Sequence, residues 1–291
     1  MKHSKLTQRG DTITLNMTTP TNFRFEDDRF NYQTKHDDTG IIQYQYREIK
    51  ERYRKDNFGI SKLNIINDQL EIGISGKILG NDYREGITID TIPSVVDVLN
   101  EVAGMNITID GILRNSVMRT FDNTYNIPLD ETDCVDDYIE SLDFGIIGNT
   151  KLGLTGYTKE SLVLTLDTKV KNRMIFYNKE LELRTHSKDF SKRFNIVDDF
   201  KDTLRVELNN TSQDKMRQNY GLGKDKVRLI DILSSRVNAI DKNFARFVDK
   251  KASEKLLFDY DTLFDMEIKN KPQLHEKFFL EEHFRKFKGN L

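Results

Sequence analysis

The sequence predicts an α+β fold with a mainly antiparallel central sheet, flanking helices and a helical C-terminal part. Much of the chain between residues 41 and 210 alternates polar and apolar residues, a period of two that is typical of half-buried strands. After residue 224 the period changes to 3.6, which indicates an amphipathic helix. No internal repeat and no proline- or glycine-rich linker divides the chain, and this favours one continuous domain.

The elements of the first hundred residues are predicted from local pattern. Residues 1–40 are polar and turn-rich, so we expect a loosely ordered arm or a peripheral strand there. Residues 41–48, 61–67 and 69–79 alternate as strands do, and the turn between the last two predicts a hairpin. Residues 93–104 begin with proline, repeat apolar residues on one face and end on glycine, which predicts a helix.

Further strands and two helices complete the prediction. The segments with strand character are residues 105–113, 115–127, 160–168, 173–179 and 202–210. An apolar stripe from Leu229 to Phe247 predicts a helix of about 25 residues, and residues 274–287 predict a second one. The expected parts are therefore an N-terminal arm (1–40), an α+β domain (41–222) and a helical part packed on the same domain (223–291).

Composition excludes several classes of protein. The chain has 291 residues, of which 37% are apolar and 32% charged, so it can bury a large core but has no run apolar enough for a membrane span. The N-terminal segment lacks the apolar core of a signal peptide, and Cys134 is the only cysteine. We therefore expect a protein of the reducing cytoplasm without a membrane partner.

Charge is distributed unevenly along the chain. Residues 1–150 hold 16 Lys and Arg against 25 Asp and Glu, whereas residues 151–291 hold 29 against 22. The basic half is compatible with a phosphate-binding face, and equally with an ordinary mixed-charge surface. The acidic run from Asp130 to Asp143 lacks the spacing and central glycine of a calcium loop, so we expect an exposed loop and helix.

Most sequence motifs of catalysis are missing. The chain has no phosphate-binding glycine loop, no GxSxG, no HExxH and no cysteine pair, and its five histidines are scattered. Any metal would therefore be held by carboxylates, which suits Mg²⁺ or Mn²⁺.

The stretch NRMIFYNKELELR, from Asn172 to Arg184, places a tyrosine between two cations. On a strand, Arg173, Tyr177 and Lys179 share one face. A phenol has an unperturbed pKa of about 10, so it acts as a nucleophile at neutral pH only beside positive charge or a metal-polarised phosphate.

A second strand carries an arginine and an acid on one face. In TLRVELNN these are Arg205 and Glu207, which a sheet could bring beside Tyr177. Such alternations are also ordinary cross-strand pairs, so the pattern by itself leaves packing and chemistry both open.

The order of five elements resembles a known family, the rolling-circle replication initiators of filamentous phages and related phage and plasmid elements (the gene II protein family). The resemblance covers roughly residues 60 to 222. The elements are QLEIGIS, PSVVDVLNEVAG, VMRTFDNTYN, MIFYNKELE, and LRVEL followed by KMRQNYGL.

The resemblance implies that Tyr177 attacks a DNA phosphodiester at an origin, keeps the 5′ phosphate and frees a 3′ hydroxyl that primes rolling-circle synthesis. It implies a Mg²⁺ or Mn²⁺ site supplied by Glu71, Glu182 and Glu207. Lys179 and Arg205 would neutralise phosphate. The arginines expected to contact DNA are Arg119, Arg173, Arg205 and Arg217. Further basic and aromatic residues would hold the backbone and stack bases, namely Arg193, Lys215 and Tyr220.

One departure bears on activity. The family's third strand usually reads arginine-X-aspartate, whereas here Arg119 is followed by Thr120, Phe121 and Asp122. On a regular strand this shift moves the acid to the opposite face, so either a bulge restores Asp122 or it takes no part in the site.

Three functions remain open at this point. The first is an active nicking enzyme, which could recruit a host helicase. The second is a non-catalytic DNA-binding or phage assembly protein on the same scaffold. The third is a phage structural protein with an unrelated α+β fold.

Overall fold

A computed structural model describes residues 8–36, 38–40, 42–55, 57–66, 69–129, 134–139, 153–158, 161–167 and 172–247 of the chain. Ten strands form one sheet in the order β2-β3-β4-β5-β1-β6-β10-β9-β8-β7. Every neighbouring pair in this order is antiparallel. The predicted α+β class is confirmed.

The strands are β1 (Gly10–Thr18), β2 (Phe30–His36), β3 (Ile42–Ile49), β4 (Ile60–Ile66), β5 (Gln69–Ser75), β6 (Ser116–Pro128), β7 (Gly153–Thr158), β8 (Ser161–Asp167), β9 (Asn172–Asn178) and β10 (Thr203–Asn210). The labelled helices are α1 (Glu51–Lys55), α2 (Ile92–Ala103), α3 (Ile109–Arg114), α4 (Lys179–Thr185), α5 (Lys188–Phe194), α6 (Gln213–Tyr220), α7 (Leu229–Leu233) and α8 (Ala239–Phe247). Three 3-10 segments occur at Asp27–Arg29, Gly76–Glu85 and Asp198–Phe200.

The prediction of a peripheral N-terminal arm is wrong for β1, which lies in the middle of the sheet between β5 and β6. Its apolar residues Ile13, Leu15 and Met17 are buried, while threonines and one asparagine alternate with them. The three apolar residues supply the period of two, and the many polar residues between them gave the segment its loop-like composition. β2, from the same predicted arm, is an edge strand.

Two predicted elements differ from those in the structure. Residues 105–113 were expected to form a strand, but α3 begins at Ile109 because Thr108 caps it by accepting a hydrogen bond from the Gly111 N–H at 3.0 Å. The predicted long helix after residue 224 is instead two short helices, α7 and α8, separated by residues 234–238. The predicted helix at 274–287 lies outside the described residues.

Other predicted elements are confirmed. β4 and β5 form the expected hairpin, although β5 ends at Ser75 and continues as a 3-10 segment. α2 ends at Ala103 and is capped by Gly104, which has a left-handed backbone (φ 58°). The described part of the acidic run contains a short helix at residues 135–139.

The two faces of the sheet are covered differently. One face packs against α2, α3 and α6–α8 in the main core, so the described C-terminal helices belong to the same domain. The other face carries polar side chains along its central strands and is partly covered by α4, α5 and the 3-10 segment Gly76–Glu85. These elements, together with residues 196–200, form a smaller apolar cluster of Tyr83, Leu183, Phe190, Ile196 and Phe200. Within the described residues, no helix is long and apolar enough to span a membrane.

Candidate active site

Tyr177 and Arg205 lie directly opposite each other on β9 and β10. Glu207, two residues along β10, projects from the same face, and the Tyr177 hydroxyl donates a hydrogen bond to its carboxylate. The period of two explains this arrangement, since Phe176, next to Tyr177, and Val206, between Arg205 and Glu207, point into the main core. The predicted neighbourhood of Tyr177, Arg205 and Glu207 is therefore present.

Arg205 is a buried cation with fixed partners. It is 2% exposed. Its Nη1 donates to Asp11 Oδ1 at 2.9 Å and to the Tyr83 hydroxyl at 3.0 Å, and its Nε donates to Asn126 Oδ1 at 2.8 Å. Glu207 lies farther away, with Oε1 at 4.0 Å from Nη1. The guanidinium is thus positioned by Asp11 rather than by Glu207.

Lys179 reaches the same place from a helix. It was expected on the strand face with Tyr177, but β9 ends at Asn178, whose side chain accepts a hydrogen bond from the Leu181 N–H and begins α4. Lys179 is 2% exposed, and its Nζ lies 5.6 Å from the ring centre of Tyr177 and 5.1 Å from that of Tyr83. Burial, together with the charge of Arg205, lowers the pKa of Lys179.

The Glu182 carboxylate accepts hydrogen bonds from both Lys179 and Ser187. Lys179 Nζ donates to Glu182 Oε2 at 2.5 Å, and Ser187 Oγ donates to Oε1 at 2.6 Å. Lys77 Nζ donates to Ser187 Oγ at 2.7 Å and lies 3.9 Å from Glu182 Oε1. Burial acts to raise the pKa of Glu182, but Lys179 outweighs it and the pKa is lowered, so this carboxylate is ionised.

Two β-bulges bring further acids to the site face. β1 has one more residue than β6 between the pairs Gly10–Asn123 and Thr12–Asp122, and this extra residue, Asp11, contacts Arg205. Asp11 is the principal residue that the sequence prediction missed, since nothing in its polar surroundings marks it.

The second bulge answers the question raised by the displaced aspartate. On β6, Arg119 is the extra residue between Met118, which pairs with Leu15, and Thr120, which pairs with Thr14. The bulge resets the alternation, so Asp122 lies opposite Asn209 and on the same face as Glu207. Asp122 is therefore restored to the site face.

Repulsion among these acids is expressed in their pKa values. Burial and the nearby Asp11 charge raise the pKa of Glu207, and burial and Glu207 raise that of Asp122 to about 7. Burial also acts to raise the pKa of Asp11, but Arg205 and then Lys179 outweigh it and the pKa is lowered. Asp11 is thus the ionised partner of Arg205, whereas Asp122 titrates near neutral pH.

Tyr177 remains protonated in this setting. Burial and the charge of Glu207 raise its pKa well above the ordinary value. The phenol can therefore lose its proton only as another bond forms.

These side chains line one cavity of about 380 Å³ on the polar face of the sheet. Its functional groups come from β1, the 3-10 segment, β9, α4 and β10: they are Asp11, Lys77, Tyr83, Tyr177, Lys179, Glu182 and Glu207. Tyr177 and two of the three glutamates singled out in the sequence thus converge on a single space. Lys77 and Tyr83 were not singled out there.

Other residues expected in the site lie elsewhere. Glu71 does not line the cavity; it lies opposite Asn16 and its Oε1 is 3.2 Å from Lys62 Nζ. Arg119 Nη2 lies 3.2 Å from the side-chain amide of Asn16. Arg173 is exposed on β9, four residues before Tyr177.

The residues of α6 are on the wrong side of the sheet for this cavity. Arg217 donates to Asp214 at 2.6 Å and to the Asp225 carbonyl at 2.9 Å. Tyr220 is 2% exposed and packs edge-on against Phe121 in the main core, so the expectation that it stacks on bases is wrong. Lys215 belongs to the same helix.

The donor set bears on metal binding. In the part of the chain that the structure describes, no three carboxylate, imidazole or thiol groups are arranged to hold an ion by themselves. Asp122 and Glu207 are neighbouring carboxylates, and the pKa of each is raised. A divalent cation bound between them would reduce their mutual repulsion.

Comparisons with known proteins give no family for this chain. No protein-family model matches it, and no curated protein does so either.

Proposed function

We propose that this protein nicks and rejoins one strand of DNA at a replication origin, with Tyr177 as the nucleophile. The observation that carries the proposal is the Tyr177 hydroxyl bonded to Glu207 in a cavity that also holds the buried cation Lys179. A phenol, a carboxylate that can take its proton, and a cation that can receive phosphate are the groups that tyrosine transesterification requires.

The proton and the charge move in a defined order. As the Tyr177 oxygen attacks phosphorus, Glu207 accepts its proton, so a free phenolate never forms against the raised pKa. The bond from phosphorus to tyrosine oxygen forms, the bond to the 3′ oxygen breaks, and the 3′ oxygen takes up a proton from solvent. The reverse reaction reseals the strand without a nucleotide cofactor.

Lys179 and Arg205 would contribute differently to phosphate binding. Lys179 Nζ lies beside the Tyr177 ring and can contact a phosphate oxygen directly. Arg205 is committed to Asp11 and Tyr83, so it would act through its positive potential and by fixing the neighbouring strand. Glu182 is occupied by Lys179 and Ser187, which favours positioning of the lysine over binding of a metal.

A divalent ion fits the remaining acids. Glu207, which lines the cavity, and Asp122, which lies outside its lining on the same face of the sheet, would hold it. Mg²⁺ commonly binds one or two carboxylates and completes its shell with water and phosphate oxygens. When bound, Mg²⁺ or Mn²⁺ would polarise the scissile phosphate. Glu71 is too far along the sheet from this pair to join it.

A covalent-adduct assay tests the proposal. The full chain would be incubated with labelled single-stranded and supercoiled DNA carrying the element's origin, with Mg²⁺ or Mn²⁺, and analysed on a denaturing gel. We expect a protein–DNA adduct that Tyr177→Phe abolishes. Tyr125→Phe is the matched control, since Tyr125 is 54% exposed and on the opposite face of the sheet.

The alternative, a non-catalytic DNA-binding or assembly protein, predicts DNA binding without an adduct. The displaced aspartate was the reason to favour it, and the bulge at Arg119 removes that reason. An active enzyme would work in the cytoplasm of a bacterial host, where a helicase would have to open the nicked duplex.

A further inference from the structure

A second cavity, of about 330 Å³, lies next to the Tyr177 cavity. Lys77 lines both, so the two cavities are adjacent at this residue. The second cavity is bordered by the aromatic rings of Phe58 and Phe194, by Arg193, and by the polar side chains of Asn81 and Asp82. It is therefore not a simple apolar pocket.

The 3-10 segment Gly76–Glu85 forms the wall between the cavities. It is kinked at Gly80, which has φ 58° and ψ −115°. A Cβ at Gly80 would lie 2.8 Å from Phe194 Cε1, so only glycine permits both this backbone and this close approach. The kink allows Lys77 and Tyr83 to line the first cavity while Asn81 and Asp82 line the second.

A cation and two aromatic rings create a stacking surface in the second cavity. The Arg193 guanidinium carbon lies 5.7 Å from the ring centre of Phe58 and 5.8 Å from that of Phe194. Both rings are half-buried and anchored on Phe190, at 5.5 and 5.1 Å between ring centres. Arg193 itself is exposed, and a guanidinium is a planar group on which a planar ligand can stack.

The polar groups favour a base over a phosphate. Asp82 would repel phosphate but can accept a hydrogen bond from an N–H group of a base, and Asn81 can donate or accept. Lys77, at the junction, is the cation placed to meet a phosphate between the two cavities. A nucleotide entering this way would leave its phosphate at Lys77 and place its base against Arg193.

We infer that the second cavity binds a nucleobase of the same single strand whose phosphate reaches Tyr177. The inference rests on the proposed function, because it assigns the route of that strand. It also gives the site a way to select which phosphate is presented, since a base held beyond Lys77 fixes the position of the backbone in the first cavity.

The test compares two ligands of equal charge, labelled oligothymidylate and an abasic strand of the same length, by fluorescence anisotropy without divalent ions. The full-length protein would be compared with Arg193→Ala and Arg193→Lys. The control is Lys192→Ala, which removes an exposed charge from the same helix but lines neither cavity.

We expect the unmodified protein to bind oligothymidylate about tenfold or more tightly than the abasic strand. Both Arg193 variants should lose most of this preference. The lysine variant keeps the positive charge but lacks the planar guanidinium on which a base would stack. Lys192→Ala should weaken both ligands equally and keep the preference.

Equal loss of both ligands in Arg193→Ala, or an unchanged preference in Arg193→Lys, would overturn the base-binding assignment. The covalent-adduct assay separates this result from the fate of the proposed function. An adduct without an Arg193-dependent base preference refutes the base site alone, whereas the preference without an adduct refutes nicking and leaves the base site standing.

Discussion

Arg205 on β10 is joined to Asp11 on β1 by a hydrogen bond of 2.9 Å, although the two residues are 194 positions apart in the chain. The contact crosses β6, which lies between the two strands. It pairs the positive charge of Arg205 with the negative charge of Asp11 beside the Tyr177 cavity. Asp11 is ionised because of Arg205, and Arg205 would otherwise be a buried cation facing Lys179. The pair therefore predicts effects on stability as well as on chemistry.

Arg205→Ala should destabilise the protein by about 3–5 kcal/mol, because it leaves the Asp11 carboxylate without its partner. Urea unfolding would measure the loss. Arg173→Ala is the control, an exposed arginine on the adjacent strand, and should change stability by about 0.5 kcal/mol or less.

Asp11→Asn in the Arg205→Ala background should restore part of that stability, since it removes the unpaired charge. A double variant as unstable as the sum of the two single variants would show that the two charges are not coupled in the folded protein.

Glu207→Gln should reduce the rate of adduct formation by about 10²–10⁴-fold, because the amide can no longer accept the Tyr177 proton. Thermal stability should not fall, because burial and Asp11 raise the pKa of Glu207, so its negative charge is costly there and the neutral amide removes that cost. Single-turnover adduct kinetics and a thermal melt would measure both quantities.

Glu71→Gln is the matched control for this experiment. Glu71 pairs with Lys62 outside the cavity, so adduct formation should be unaffected. A loss as large as that in Glu207→Gln would instead place Glu71 in the reaction, as the family resemblance implies.

The local part of the site could be predicted from the sequence and the assembled part could not. Alternation on β9 and β10 placed Tyr177, Arg205 and Glu207 on faces that meet, because side chains on strands follow a period of two. Asp11 and the return of Asp122 depend on bulges, which insert one residue and leave no periodic signal. Lys179 reached the cavity by starting a helix, and a single cap at Asn178 decides between that helix and one more strand residue.

The stability of the protein should fall as pH rises from about 4 to about 7 through the titration of Asp122. Its pKa is about 7 when folded against an ordinary value of 3.8, so the folded state binds more protons than the unfolded state in this window. The contribution of this proton to the free energy of unfolding is up to about 4 kcal/mol. It is fully present below the pKa of the unfolded state and is lost as the pH approaches the pKa of the folded state. Asp122→Asn should abolish this contribution, which urea unfolding at a series of pH values would show. An unchanged slope in Asp122→Asn would assign the titration to another group.

Mg²⁺ should stabilise the protein more at pH 8 than at pH 6, because the ion and the proton compete for Asp122. An ion at ten times its Kd would add about 1.4 kcal/mol to the free energy of unfolding. At pH 6 most Asp122 side chains carry a proton that must be displaced first, so the same concentration of ion should add less to the free energy of unfolding.

Thermal melts of chelator-treated protein with and without Mg²⁺ or Mn²⁺ would measure the difference, with Asp122→Asn as the variant that should lose most of it. Glu71→Gln should respond as the unmodified protein does, because Glu71 is paired with Lys62 away from this pair of acids. Stabilisation of the Asp122→Asn variant as large as that of the unmodified protein at pH 8 would place the ion elsewhere and remove Asp122 from the proposed metal site.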